Sequence, residues 1–285
     1  MNFFQKTLNN KTFFIAEIGI NHNGNIKTAL DLIDAAKLAG CNAVKFQKRD
    51  PEICVPLEEW DIKRDTPWGV MRYIDYKKKI EFGKKEYNII DKHCKKLSIL
   101  WTASCWDTKS VDFIESYKVK FHKVASACIT DINLLKKLKK TKKPVIISTG
   151  MSTEKEIRNA VNILTQKNLA ILHCNSSYPA PNNQLNLRYI TKLKSRFKKS
   201  VIGYSGHEIN LSSSLASVVL GARIIERHIT LDKSMWGTDQ MSSIEPLGFA
   251  RLIKDVRAVE ESMGVSKKVI FPGERKMMKK LRKFK

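Results

Sequence analysis

Eight short apolar runs rich in β-branched and aromatic residues alternate with segments of helical period along the chain, at 12–20, 43–47, 99–104, 121–126, 144–149, 169–176, 200–205 and 222–230. Their nearly continuous apolar character belongs to parallel strands covered on both faces. The segments between them carry helix signals. After Asn25, an N-cap, Ile26, Leu30, Ile33 and Ala36 fall on one stripe and Gly40 follows as a stop. Ile157, Val161 and Leu164 likewise share a face, and similar segments occupy 84–97, 107–117, 131–140, 187–197, 210–220 and 246–262. Eight alternating βα units predict an α/β chain folded as a closed (β/α)8 TIM barrel. An open doubly wound sheet competes with it, but no Gly-rich GxGxxG turn follows any run.

One connection is too long for a plain βα loop. Residues 50–83, after the second strand, hold two Pro-bearing stretches and Trp60, Trp68 and Tyr73, which are costly to leave in water; a lid or binding insert is expected. The expected organisation is a single barrel domain over 1–265 and a basic tail over 266–285. That tail has Met277, Met278, Leu281 and Phe284 among its lysines, so it reads as an amphipathic helix for the barrel or a second subunit.

A net charge of +24 admits nucleic acid, an acidic membrane surface or a small anionic substrate as partner. No zinc-finger pattern, aromatic RNP-like strand or basic heptad accompanies it, so a nucleic-acid module is not expected. No apolar run reaches the roughly 18 residues of a membrane span, and the N-terminus does not read as a signal peptide. The expected compartment is the cytoplasm, where Cys41, Cys54, Cys94, Cys105, Cys128 and Cys174, without CxxC spacing, stay reduced.

Barrel enzymes build their sites where strands end. Read in order, those ends carry Glu17 and Asn21, Lys45 and Gln47, Ser104 and Asp107, Lys123 and Ser126, Ser148 and Thr149, Asn175, Ser176 and Tyr178, Ser205 and His207, Glu226 and His228. Lys45 and Lys123 lie inside apolar strands, where an ammonium needs an anion, and Ser126, Ser148 and Ser205 can donate to its oxygens. His207 and His228 close consecutive strands. Such a pair serves either as two structural histidines or as a divalent-metal site with open positions for water and substrate.

The segments FIAEIGINHNG, VKFQ, FHKVAS, PVIISTGMST, LHCNSSYPAP, GYSGH and IIERHITLDKSMWGTDQ, spanning about 12–262, resemble the N-acetylneuraminate (sialic acid) synthase family. The resemblance implies a transferase that condenses phosphoenolpyruvate with an N-acylated amino sugar, N-acetylmannosamine in the type case. The products are a nonulosonate and phosphate. A divalent metal, Mn2+ or Mg2+, is implied, with His207 and His228 as its ligands. Lys45, Lys123, Ser126, Ser148 and Ser205, with Ser104, match phosphoenolpyruvate contacts, Glu17, Gln47, Tyr178 and Asp239 match the sugar and reaction space, and Ser176 is expected among the substrate-binding residues. A homodimer is expected.

Two departures stand out. Cys128 occupies a position that is acidic in the type enzymes, so water activation falls to Asp131 or Glu17. The second concerns the C-terminal antifreeze-like domain, which supplies an Arg to a partner's sugar site. A short form without it is expected here, with other groups holding the sugar and legionaminate or pseudaminate synthesis among the options. A sugar-phosphate acceptor would call on Lys63, Arg64 and Arg72 of the insert. A basic polyanion-binding protein on a barrel is the alternative from outside the enzymes.

Overall fold

A computed structural model of the chain describes residues 3–4 and 11–284. Eight parallel strands close into a ring: β1 (Phe13–Gly19), β2 (Ala43–Lys48), β3 (Leu100–Cys105), β4 (His122–Val124), β5 (Val145–Ser148), β6 (Leu169–Cys174), β7 (Val201–Gly206) and β8 (Ile224–His228), with β1 hydrogen-bonded to both β2 and β8. The helices are α1 (Ile26–Leu38), α2 (Tyr73–Ile80), α3 (Lys84–Leu97), α4 (Thr108–Glu115), α5 (Ile132–Lys140), α6 (Glu154–Leu164), α7 (Tyr189–Arg196), α8 (Ser212–Val219), α9 (Pro246–Ser262) and α10 (Pro272–Leu281). The expected (β/α)8 barrel is therefore the observed one. Asn25 caps α1 as the sequence predicts, accepting from the Lys27 and Thr28 amides, and Thr153 and Glu156 form a reciprocal capping box at the start of α6.

Strand alternation decides what the ring encloses. Phe14, Ala16 and Ile18 of β1 join the apolar layer between strands and helices, whereas Phe13 and Ile15 join a separate cluster with Ala43, Phe121, Ile146, Ala170, Leu172, Val201 and Ile224. This second cluster fills the lower half of the barrel. Phe3 and Phe4 close its floor, with Phe121 ring centroids 6.1 Å from each. Continuing up the same parity places Glu17, Lys45, Ser104, Lys123, Ser148, Ser205, Glu226 and His228 at the upper end.

The 50–83 connection is structured. A one-turn helix at Pro51–Cys54 leads to a short hairpin, Lys63–Arg64 with Met71–Arg72, and then to α2, which buries Ile74, Tyr76 and Ile80. Tyr76 meets Trp236 of the loop after β8 edge-on at 5.5 Å, so the insert leans on the rim of the barrel. Trp60 and Tyr73 are half-buried as expected. Trp68 remains exposed, its ring under the Lys79 ammonium. The tail helix α10 is amphipathic but buries none of its residues, so the expected packing on the barrel is not found. Among the described residues no helix is long and apolar enough to cross a membrane.

The floor gives the first test. Phe121 is fully buried among Phe3, Phe4 and Phe13. Phe121→Ala is expected to cost about 3–5 kcal/mol of unfolding free energy, read by urea denaturation.

Candidate active site

The upper end of the barrel opens into a cavity of about 210 Å³. Every residue that the family resemblance assigned to metal, phosphoenolpyruvate or sugar lines it except Asp239, whose Oδ2 lies just outside, 3.8 Å from His228 Nδ1. The strand register explains the assembly: Glu17 pairs laterally with Lys45 on one side and His228 on the other, Gln47 with Ser104, Ser104 with Lys123, and Glu226 with Ser205.

The two lysines find their counterions inside the protein. Lys45 Nζ lies 2.7 Å from Glu17 Oε2 and 3.7 Å from Glu226 Oε1, and Lys123 Nζ lies 3.6 Å from Glu226 Oε1. This corrects the expectation that a buried ammonium here calls for an outside anion: two carboxylates of the same ring supply the charge. Each lysine also donates to a serine at 2.8 Å, Lys45 to Ser104 and Lys123 to Ser148, while Ser205 donates to Glu226 at 3.1 Å. Glu226 was visible at a strand end yet carried no assigned role. Its signal is the one that marked the lysines, a charge within an apolar strand.

The two carboxylates titrate apart. Burial raises Glu17 to about 7, against the pull of Lys45. At Glu226 burial also works upward, but Lys123 and Lys45 outweigh it and hold the group down at about 2. Burial alone would lower Lys45, yet Glu17 and Glu226 keep it above the ordinary lysine range, whereas burial prevails at Lys123 and lowers it. The site thus pairs a permanently ionised carboxylate with one that exchanges its proton near neutrality.

Beside this cluster stand the histidines, ring centroids 5.4 Å apart, with the Tyr178 ring 4.1 Å from His207 and 6.0 Å from His228. His207 Nδ1 donates to the Asn175 carbonyl at 2.7 Å, which directs Nε2 toward other partners. Burial works downward on this ring, but Cys174, 3.8 Å from Nδ1, raises it overall, so a cation would compete with a proton for Nε2. Burial keeps His228 neutral, lowering it to about 3, and its buried Nδ1 has no hydrogen-bond partner. Among the described residues no three His, Cys, Asp or Glu side chains gather as a metal cluster. The pair still fits a catalytic cation, since it offers two nitrogens and leaves positions for substrate and water. Imidazole suits a first-row transition ion better than Mg2+, which takes oxygen ligands.

Ser126, Ser176 and Met151 add to the wall. Gly150 N donates to Ser126 Oγ at 3.1 Å, and a Cβ on Gly150 would stand 2.1 Å from Ser176 Oγ. Only glycine permits that approach. Gln47 donates to Glu17 at 3.4 Å and accepts from Arg49, a residue the sequence reading passed over, which stacks on Trp106 at 4.5 Å.

Several strand-end residues turn out to be structural. Asp107 caps α4, Thr149 donates to the Leu172 carbonyl, and Asn21 bridges to Ile229 and Ser243. Asp131 caps α5 and faces a different cavity, which removes it as the group activating water. Cys128 cannot take that part either, because burial pushes its thiol up to about 11. Of the insert's cations that a sugar phosphate would call on, Arg64 lies on Tyr73 and Arg72 pairs with Asp61 and Asp75, while Lys63 is exposed.

The NeuB family model matches residues 32–268 of this chain. The chain belongs to the NeuB family. This NeuB-family chain is 41% identical over 239 residues to the N-acetylneuraminate-9-phosphate synthase of Drosophila melanogaster, covering 82% of this chain and 64% of that protein's length. It is 36% identical over 280 residues to the N,N'-diacetyllegionaminic acid synthase of Campylobacter jejuni, with 96% and 84% covered. Among solved structures, the N-acetylneuraminic acid synthetase of Leptospira borgpetersenii, in complex with citrate, superposes with a TM-score of 0.85 at 33% identity, over 95% of this chain and 92% of that one.

The glycine wall gives a prediction independent of turnover. Gly150→Ala, whose methyl would press on Ser176 Oγ and Ser126 Oγ, is expected to cost about 1–3 kcal/mol of unfolding free energy, read by urea denaturation.

Proposed function

We propose that this chain condenses phosphoenolpyruvate with the open-chain aldehyde of an N-acylated amino sugar, forming a nonulosonate and releasing phosphate. The observation that carries this reading is the buried Lys45–Glu17–Glu226–Lys123 cluster standing beside the His207–His228 pair in one barrel mouth. The relatives' names supply the chemical class, and because the chain spans 64% of the fly synthase's length, the whole reaction is carried as a proposal. Residues 1–265 are taken as the synthase barrel and 266–285 as an appended tail. Use of phosphoenolpyruvate, with six free cysteines, fits the cytoplasm.

In the reaction a bond forms between C3 of phosphoenolpyruvate and the aldehyde carbon, water adds at C2, and the C2–O bond to phosphate breaks. Lys45, Lys123 and the serines hold the enol phosphate in place and balance its charge, which spares the transition state the reorganisation water would need. His207 and His228 would hold the divalent ion, which when bound polarises the aldehyde as a Lewis acid. Glu17 takes the first proton of the adding water and passes it to the alkoxide formed from the aldehyde; as the C2–O bond to phosphate breaks, the C2 hydroxyl gives up its proton through Glu17 to the departing phosphate and becomes the ketone, a task that suits a group titrating near 7. Glu226 stays ionised and anchors both lysines. Tyr178 and Asp239 flank the histidines on the sugar side. A neutral acylamino sugar is favoured over a sugar phosphate, because the insert's arginines are already engaged.

Phosphate release is expected only with phosphoenolpyruvate, an acylamino-hexose and Mn2+ together. A panel of N-acetylmannosamine, its 6-deoxy diacetamido relatives and their 6-phosphates identifies the acceptor. His228→Ala should abolish release, and activity persisting in that variant under chelation would reject the metal role.

Glu17→Gln should lower kcat by about 10²-fold or more. Because the folded-state value of Glu17 is raised, the carboxylate that acts as base forms only as pH climbs through about 7. Wild-type kcat/KM should therefore rise with pH across that window and flatten above it, and the rise should be missing from the residual rate of the variant.

A further inference from the structure

Each histidine of the pair has a charged neighbour in the chain, His207–Glu208 and Arg227–His228, and neither neighbour enters the mouth. They meet behind it. Arg227 Nη1 lies 3.0 Å from Glu208 Oε1, and Nη2 donates to the Glu208 carbonyl; both side chains are completely buried. The same guanidinium donates to the Asn210 carbonyl at 3.1 Å and to Ser214 Oγ of α8 at 2.9 Å, while Tyr204 donates to Glu208 Oε2 at 2.8 Å.

Strand alternation explains the arrangement. His228 faces the mouth, so Arg227 faces the helix layer, where it stands beside Gly206 at the end of β7. Gly206 lets Glu208 fold back, since a Cβ there would meet Glu208 Oε2 at 2.6 Å and Tyr204 at 2.7 Å. One guanidinium on β8 thus fastens the loop that carries His207, through three of its groups. Stability is a weak reason for such a pair, because apolar side chains of similar volume usually serve a protein interior as well or better. What the pair does supply is a fixed distance between two adjacent strand ends.

We propose that Arg227 and Glu208 are positioning residues that set the spacing of His207 and His228 and thereby the affinity of the pair for its divalent cation. This rests on the metal reading given above. The carboxylate and guanidinium touch neither substrate nor cation; they act through the loop, as outer partners of metal ligands do elsewhere.

The test is Mn2+ binding to the full chain, read from the free-ion electron paramagnetic resonance signal, with the melting temperature of every variant measured alongside. Wild type should bind one Mn2+, and His228→Ala should not. Glu208→Gln, which retains shape and loses charge, and Arg227→Lys, which retains charge and loses the fork, should bind about ten- to a hundredfold more weakly. Ser214→Ala, removing a single contact, should fall between them and wild type. Glu260→Gln provides the control: it breaks a comparable cluster with Thr12 and Arg257 at the floor of the barrel and should leave Mn2+ affinity unchanged even where it lowers the melting temperature. Wild-type affinity in folded Glu208→Gln and Ser214→Ala would overturn the positioning role alone. Absence of Mn2+ binding in wild type, or its survival in His228→Ala, would overturn the metal reading and this inference together.

Discussion

Four ionisable side chains share the upper half of a barrel whose lower half is aromatic and aliphatic carbon, and much of the molecule's design answers to that placement. None of Glu17, Lys45, Lys123 and Glu226 could sit there alone, since an isolated charge removed from water costs several kcal/mol. Together they form a chain in which Glu226 touches both lysines and Glu17 only one. Ser104 and Ser148 add to the ammonium groups' hydrogen bonding. Such a cluster is poorly justified as a source of stability. It makes sense as a surface prepared for a substrate that brings negative charge, because the counterions already hold the lysines where the substrate will need them.

The scaffold is divided accordingly. Below the cluster the packing among Phe4, Phe13, Phe121 and Ile224 is apolar and rigid. Above it the chain reaches the mouth only through loops, and each loop is tied down by contacts outside the cavity. Asn25, Asp107, Asp131 and Thr153 cap helices that follow strands, and Tyr76 leans on Trp236 to bring the insert to the rim. Polar residues at strand ends therefore fall into two groups: those on the inward parity, which face the mouth, and those a residue or two further on, which hold the next helix.

That division explains what the sequence made legible. The strands were readable because parallel strands are apolar on both faces, and Lys45, Lys123 and the histidines were readable because they interrupt or end such runs. Asp107 and Asp131 looked equally promising, but whether a carboxylate faces a mouth or caps a helix depends on one or two residues of register, which local composition does not reveal. Glu226 lay in plain view and lacked a role because its partners come from strands far off in sequence. Arg227 and Glu208 were hidden for the same reason: their contact depends on β7 and β8 being neighbours and on Gly206 lacking a side chain. The insert's hairpin and the isolated tail helix rest on short or unpartnered elements, for which periodicity carries little information.

The cysteine at position 128 sharpens the division of labour between the two carboxylates. A thiol pushed up to about 11 by burial stays neutral in the working range, and Asp131 is committed to a helix cap. In the proposed reaction, proton transfer then falls on what the barrel interior itself holds. Glu226, faced by two ammonium groups, is too weak a base to accept a proton near neutrality and serves as a fixed counterion. Glu17 has one ammonium close by and lies deep enough for burial to prevail, so the same functional group acquires a value near 7. The environment separates two chemically identical side chains into an anchor and a proton carrier, and it does so through position: Glu17 stands in β1 between Lys45 and His228, beside the groups that would hold both reactants.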